Sequence, residues 1–492
     1  MTDTHPSPTL PRPSIARDAA LLLAITLLAV AVNGYHLGVE DQAIYLPAIK
    51  QHINPVLYPA NAEFFQAQAG PMLTDNLIAA SIRVSHVPLE WSMLLWHVAS
   101  IFGLLAGCLR LSRRCFPSAA GQWAGVAAVA GVLTMPVAGT LVLIATQYLH
   151  PRSLAAVPLV LAVVEVMDRR WLRAALLMAL AAILHPQMAF FGGLFLIFLA
   201  WRTPAQQTPA FAALLFPLAF LFQPAPASWQ EAMRTRTEFF VLRWHWYELV
   251  GLAAPLILLW WFGEVGKRHG WRDLPHLGRR MVALGVFSFV GALVVSTPQF
   301  VRLAPFQPLR SLHIIYLLLF LFLGGMLGHF VLQRKPLRWL MLFLPLAAGM
   351  FFAQRHEFPA SAHIEWPGAA PRSPWLQAFV WIRGNTPTDA LFALDPWYMR
   401  RPGVDYHGFR ALAERSSLAD RVKDPGVSAL FPPLADKWLE QARAQDGWRD
   451  FDALDFHLLK HNYGVTWVVV ENPVHDMACP YKNEAVQVCR ID

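Results

Sequence analysis

The sequence is poor in charge. Charged residues make up 15% of the 492-residue chain, against roughly 25% in a soluble domain. With a hydrophobic fraction of 56% and a mean hydropathy of +0.39, this excludes a wholly soluble protein. Nucleotide-binding signatures are missing as well: there is no Walker A loop and no Gly-x-Gly-x-x-Gly beside a strand. Nothing therefore points to ATP hydrolysis or dinucleotide chemistry. The absence of His-Glu-x-x-His and of Cys-x-x-Cys removes two familiar zinc and redox patterns. No internal repeat is visible, and no chain of intramembrane acids marks a proton relay. Cysteines number only four. Cys108 and Cys115 flank a basic turn and read as reduced thiols, whereas Cys479 and Cys489 can pair if the polar tail lies in an oxidising compartment.

What is present is a series of apolar stretches. Eleven candidate spans fall at 19–37, 89–109, 121–143, 153–167, 172–184, 187–201, 209–222, 247–262, 281–297, 311–332 and 337–353, several of them short for a span of about 20 residues. Residues 1–18 are polar and Pro-rich and read as a disordered cytoplasmic N-terminus. Ala29-Val30-Ala31 resembles a signal-peptidase site, but the apolar stretch runs past it, which favours an uncleaved first span. Abundant Trp and Phe fit rings at membrane interfaces.

Basic residues cluster in alternate connections: Arg110, Arg113 and Arg114; Arg169, Arg170 and Arg173; Lys267 to Arg280; Arg334, Lys335 and Arg338. This pattern sets membrane orientation and argues against nucleic-acid binding. It places the N-terminus in the cytoplasm. An odd number of spans then puts the tail outside, on the same face as the long loop 38–88. Glu165, near the inner end of its span, reads as snorkelling to the interface. Within the loop, 42–52 and 71–85 read as helices lying along the membrane surface.

From residue 354 charges rise and apolar runs shorten. Amphipathic patterns at 375–383, 409–415 and 434–443 alternate with buried-strand patterns at 390–394 and 465–470. The fold class expected is thus an α-helical polytopic membrane protein with a small C-terminal α/β extracytoplasmic domain over 354–492.

Polar groups with chemical potential gather on one face. Glu40-Asp41 opens the first outer loop, where a carboxylate beside a low-dielectric wall has a raised pKa and suits a general base or a metal ligand. Asp41 as a helix N-cap is the bland alternative. His150-Pro151-Arg152 and His185-Pro186-Gln187 sit at outer turns, with Arg152 suited to clamp a phosphate. Taken alone, each pair is better explained by helix capping in a tight turn, with Pro starting the next helix. Arg310 and His313 are three residues apart and would share a helix face. Arg243 and His245, with Arg234 and Arg236, stand in another outer loop as candidate anion ligands.

Taken together these residues resemble the GT-C superfamily of polytopic glycosyltransferases. The matching positions are Glu40 and Asp41, with Tyr45 following, in the long first outer loop. A closer likeness is to an uncharacterised group of bacterial membrane proteins near that superfamily. It is carried by Tyr148-Leu149-His150-Pro151-Arg152, His185-Pro186, Gln307 to His313, Trp381-Ile382-Arg383-Gly384-Asn385-Thr386-Pro387, Gly408-Phe409-Arg410, Arg415 and Lys423-Asp424. The resemblance implies a bacterial inner-membrane transferase that uses a polyprenyl-phosphate sugar at the periplasmic face. Asp41 would act as general base, with Glu40 beside it. Arg310, Arg152 and Arg243 would neutralise the lipid phosphate while His150, His185, Gln187, His245 and His313 bind donor groups. The acceptor would be an envelope glycan, lipid or protein. The chain departs from the pattern in one place: a second acidic motif of many members is represented only by Glu231 and Glu238. A divalent metal is therefore left open as a cofactor, and no metal ligands are assigned. Two other classes compete with the transferase, a transporter of lipid-linked glycans and an envelope assembly scaffold.

Overall fold

The computed structural model describes residues 15–201, 226–475 and 477–491. The expected span at 209–222 and most of the expected N-terminal disorder lie outside these residues. The chain is mostly helical. Among the described residues, six helical segments are long and apolar enough to cross a membrane: Ile15–Asn33, Leu89–Cys115, Trp246–Arg268, Asp273–Val295, Pro298–Leu332 and Pro336–Glu357. Trp171–Leu184 and Pro186–Ala200 are shorter apolar helices. The first helix begins at Ile15, inside the stretch expected to be disordered, and Asp18 in its first turn pairs with Arg113 at 2.6 Å.

Ion pairs gather the helix ends on one side of the bundle. Arg114 bonds Asp168 and Asp273, and Arg110 meets Glu165 at 2.5 Å. Glu165 is buried and also faces Arg170 at 3.7 Å, so it does not snorkel. These are the residues of the expected inner clusters, and the acidic loop lies at the opposite helix ends.

Small residues set a close helix contact. A Cβ on Gly324 or Gly328 would lie 2.4 Å from a backbone carbonyl of Ala124 or Ala120. This four-residue repeat of glycine lets Leu312–Leu327 and the helical turns Gly328–Leu332 that follow it seat against Ala119–Gly131.

One expected span is not a continuous helix. The helix Ala119–Gly131 stops well short of 143. Pro136 biases its predecessor away from helical backbone, and the chain continues as a buried irregular segment to the next helix, Pro151–Met167. Its polar groups are met internally: Thr134 donates to Asn33 Oδ1 at 2.8 Å, and His313 Nε2 donates to the Ile144 carbonyl at 2.9 Å. Non-helical backbone at membrane depth needs such internal partners.

The first loop is also enclosed rather than spread along a surface. Every residue from 42 to 50 of the helix Gln42–Ile53 is buried, including Lys50, which pairs with Glu414 at 2.7 Å. The helix packs against Thr74–Ser85 and against Phe409–Ala413 of the tail.

The tail builds a five-stranded sheet from β1 (Leu391–Leu394), β2 (Ser416–Ser417), β3 (Trp467–Val470), β4 (Ala478–Lys482) and β5 (Gln487–Arg490). Their order is β2-β1-β3-β5-β4. β1 pairs in parallel with β2 and β3, while β5 runs antiparallel to β3 and β4. Strand periodicity splits the core. Phe392, Leu394, Trp467 and Val469 pack with Trp375, Phe379 and Ile382 of the helix Pro374–Asn385. Leu391, Ala393, Val468 and Val470 face Phe456 and Leu459 of Ala453–Tyr463. A disulfide joins Cys479 to Cys489, and Cys108 and Cys115 are free and buried.

Candidate functional site

The acidic loop is held by the tail. Gly408 N–H donates to the Gly38 carbonyl at 2.8 Å, Glu40 N–H donates to the Tyr406 carbonyl at 3.0 Å, and Val39 pairs with His407 as an isolated bridge. Gly408 is required here, because a Cβ would fall 2.5 Å from the Ala43 Cβ. Glu40 takes a left-handed φ of 51°, turning the chain so that Asp41 opens the next helix.

Asp41 does not cap that helix: its side chain bonds no helical amide. Its Oδ2 lies 3.2 Å from His150 Nε2, and its Oδ1 lies 3.2 Å from Lys423 Nζ. His150 Nδ1 accepts the Arg152 amide at 2.9 Å. The proton must then sit on Nε2, and the ring donates to Asp41. His150 is 2% exposed and neutral, with burial and Arg152 pushing it down to about 4. Lys423 also bonds Glu40.

The expected raised pKa of Asp41 is not what this arrangement gives. Burial alone pushes the carboxyl up, but Lys423, the His150 hydrogen bond and Arg152 outweigh it and hold the group well below the usual carboxylate range. The side chain is 35% exposed, so it is an ionised, accessible carboxylate.

Asp41 opens onto a cavity of about 690 Å³. His185, Gln187 and Arg310 line the same space. The His185 ring stacks near His150 with centroids 6.0 Å apart, and its Nδ1 accepts the Met188 amide at 3.3 Å. Gln187 donates to the Phe306 carbonyl at 3.1 Å, and Arg310 Nε bonds Gln307 Oε1. Each His-Pro pair thus caps a helix and also reaches the cavity, so the two readings of those turns are compatible.

Four expected site residues are elsewhere. Arg152 is buried and does not line the cavity; it acts on Asp41 and His150 through its field. His313 is turned to the Ile144 carbonyl. The chain passes from a 3-10 turn at Pro308–Ser311 into an α-helix at Leu312, so a uniform helical wheel misplaces it. Arg243 is exposed and lies over the Phe240 ring, and exposed His245 stacks on Tyr247. The cavity wall instead holds Arg236, the basic candidate of that loop that does reach it, together with Arg302 and Lys423; these three cations come from distant segments. Arg236 donates to the Val422 carbonyl at 3.0 Å, tying its loop to the tail. A signal for Lys423 existed in its place beside Asp424, but nothing in the sequence pairs it with Glu40.

The donor set tests whether a divalent ion fits. Among the described residues, no group of three or more His, Cys, Asp or Glu side chains is arranged to hold one. The two carboxylates already share the Lys423 ammonium. The residues present do not fit a divalent metal.

No protein-family model matches the sequence, and no curated protein matches it. Among solved structures the chain is similar to the archaeal oligosaccharyltransferase AglB from Archaeoglobus fulgidus in complex with an inhibitory peptide and a dolichol-phosphate. That likeness has 12% identity and a TM-score of 0.45, and it covers 93% of this chain and 70% of that one. An Archaeoglobus fulgidus oligosaccharyltransferase in complex with Zn and sulfate is similar at 12% identity and a TM-score of 0.40, over 92% and 68% of the two chains.

Proposed function

We propose that this chain is a membrane glycosyltransferase. It moves a sugar from a polyprenyl-phosphate donor to an envelope acceptor at the periplasmic face of the bacterial inner membrane, with the N-terminus cytoplasmic and the 354–492 tail periplasmic. The observation that carries the reading is the convergence of ionised Asp41 and the cations Arg310 and Arg236 on one cavity.

The chemistry follows from that pairing. An acceptor hydroxyl beside Asp41 attacks the anomeric carbon as the bond to the phosphate oxygen breaks on the opposite face, with inversion. The bonding pair leaves with the phosphate, whose charge Arg310 and Arg236 stabilise. The hydroxyl proton passes to Asp41. A carboxylate of low pKa is a weak base, so the transfer comes late, once bonding to a cationic anomeric carbon has made the hydroxyl acidic. The His150 N–H fixes the carboxylate through one oxygen. Ile44, Met72, Phe190 and Phe306 give the cavity an apolar wall suited to an isoprenoid chain.

Lipid-linked sugars and envelope glycans compared between a deletion strain, its parent and a strain carrying D41N test this. A lipid-linked sugar should accumulate, and one glycan should lose a sugar, in both mutants. Identical profiles in all three strains would overturn the reading.

A further inference from the structure

Three features place Lys423 against the acidic pair. Its Nζ bonds Glu40 and reaches Asp41 Oδ1 at 3.2 Å, with only 14% of the side chain exposed. Its backbone is fixed: Asp420 Oδ1 accepts the amides of Val422 and Lys423 at 2.7 and 2.6 Å. Asp420 N–H in turn donates to Asp424, whose two oxygens take a two-pronged contact from Arg410 at 2.8 Å each. The loop bearing Glu40 is held separately, by the backbone of Tyr406 and Gly408. Two rigid segments therefore meet with the ammonium between the carboxylates. Such a geometry is preorganised.

We infer that the Lys423 ammonium is a built-in counter-ion that takes the place of a divalent metal at Glu40 and Asp41, so that the tail completes the site. The inference rests on the glycosyltransferase reading for its catalytic meaning only. Two adjacent carboxylates facing a phosphate-bearing donor repel it unless a cation intervenes. A covalently tethered cation does this without the ligand count or octahedral geometry that Mg²⁺ or Mn²⁺ demands. Lys423 is a positioning residue: it holds Asp41 ionised, leaving the oxygen turned to His150 at the cavity.

Mn²⁺ titration of the purified full-length chain, followed by electron paramagnetic resonance, tests the idea without reference to turnover. Wild type and D41N should bind the same background of Mn²⁺. K423M, which removes the charge but keeps the stem, should gain a site of at least about tenfold higher affinity, and K423M/D41N should lose it. K423R should bind no more than wild type. An Mn²⁺ site in wild type that D41N abolishes overturns the inference, as does a folded K423M with no gain. If K423M does not fold, the comparison of wild type with D41N decides. Sugar transfer by wild type should survive chelation with EDTA, and transfer lost to EDTA and restored by Mn²⁺ overturns the inference too. A chain with no transfer under any condition would sink the glycosyltransferase reading, and the Mn²⁺ titrations would still decide the role of Lys423.

Discussion

His150 and Asp41 are joined by a hydrogen bond whose direction is fixed at its far end. The Arg152 amide occupies Nδ1, so Nε2, 3.2 Å from Asp41 Oδ2, carries the proton. A hydrogen bond to a charged group contributes about 1.5–3 kcal/mol. H150A should therefore lower sugar transfer by about ten- to hundredfold, mostly in kcat. Because burial and Arg152 push His150 down to about 4, the ring stays neutral at higher pH. Wild-type kcat/KM should show no histidine limb between about pH 5 and 8. A limb near the ordinary histidine value that disappears in H150A would refute the neutral-donor role.

Replacing the carboxylate itself should be more severe. D41N keeps the size and the hydrogen-bonding reach but cannot take a proton, and a loss of about a thousandfold is expected. Membrane insertion and protein level should match wild type, because Asp41 makes no helix cap. Normal transfer by D41N at equal protein levels removes Asp41 from catalysis.

The acidic pair and the two His-Pro turns were legible because each stands where an apolar run ends, the one place a long hydrophobic chain exposes polar chemistry. Lys423 was not, and Arg236 stood only as one of several basic candidates in its loop. Lys423 reaches the cavity only after the tail has folded over the first loop, and no local pattern encodes a contact nearly four hundred residues apart. The strand patterns at 390–394 and 465–470 correspond to β1 and β3 because their β-branched and aromatic residues alternate faces across a covered sheet. The run at 121–143 was misread for a physical reason. Apolar residues are equally needed in a spanning helix and in a buried irregular segment, so composition cannot separate them.

The guanidinium groups can be ranked. Arg310 lines the cavity, Arg243 lies outside it, and Arg334 stands exposed in the cluster of the opposite connection. R310A should raise the donor KM and lower kcat/KM by about 2–4 kcal/mol in transition-state terms. R243A and R334A should change neither by more than about twofold, as expected for exposed charges. Steady-state kinetics with a short-chain polyprenyl-phosphate sugar would measure this. Equal losses in R310A and R334A would argue against a phosphate site in the cavity.

The side of the membrane can be read directly. Residues 359–363 lead from the apolar helix Pro336–Glu357 to the tail layer that holds the acidic loop. An alkaline phosphatase fused after Ala360 should be active, because that enzyme needs an oxidising compartment. A green fluorescent protein fused at the same place and exported through the general secretory route should be dark. The reverse pattern would put the cavity on the cytoplasmic side.

Asp75 gives a stability prediction with a definite sign. It is 2% exposed, its Oδ1 has no hydrogen-bond partner, and burial pushes its carboxyl up to about 8. The folded chain therefore holds this proton where the unfolded chain has released it. Stability from this group is fully present below the ordinary aspartate value near pH 4 and declines as pH rises toward about 8, where the loss is complete. Asn keeps the shape and cannot ionise. D75N should match wild type in thermal unfolding below about pH 4 and exceed it at pH 8 by on the order of 2–5 kcal/mol, equivalent to several degrees in Tm. A D75N curve that runs parallel to wild type across this range would show that Asp75 is already ionised in the fold.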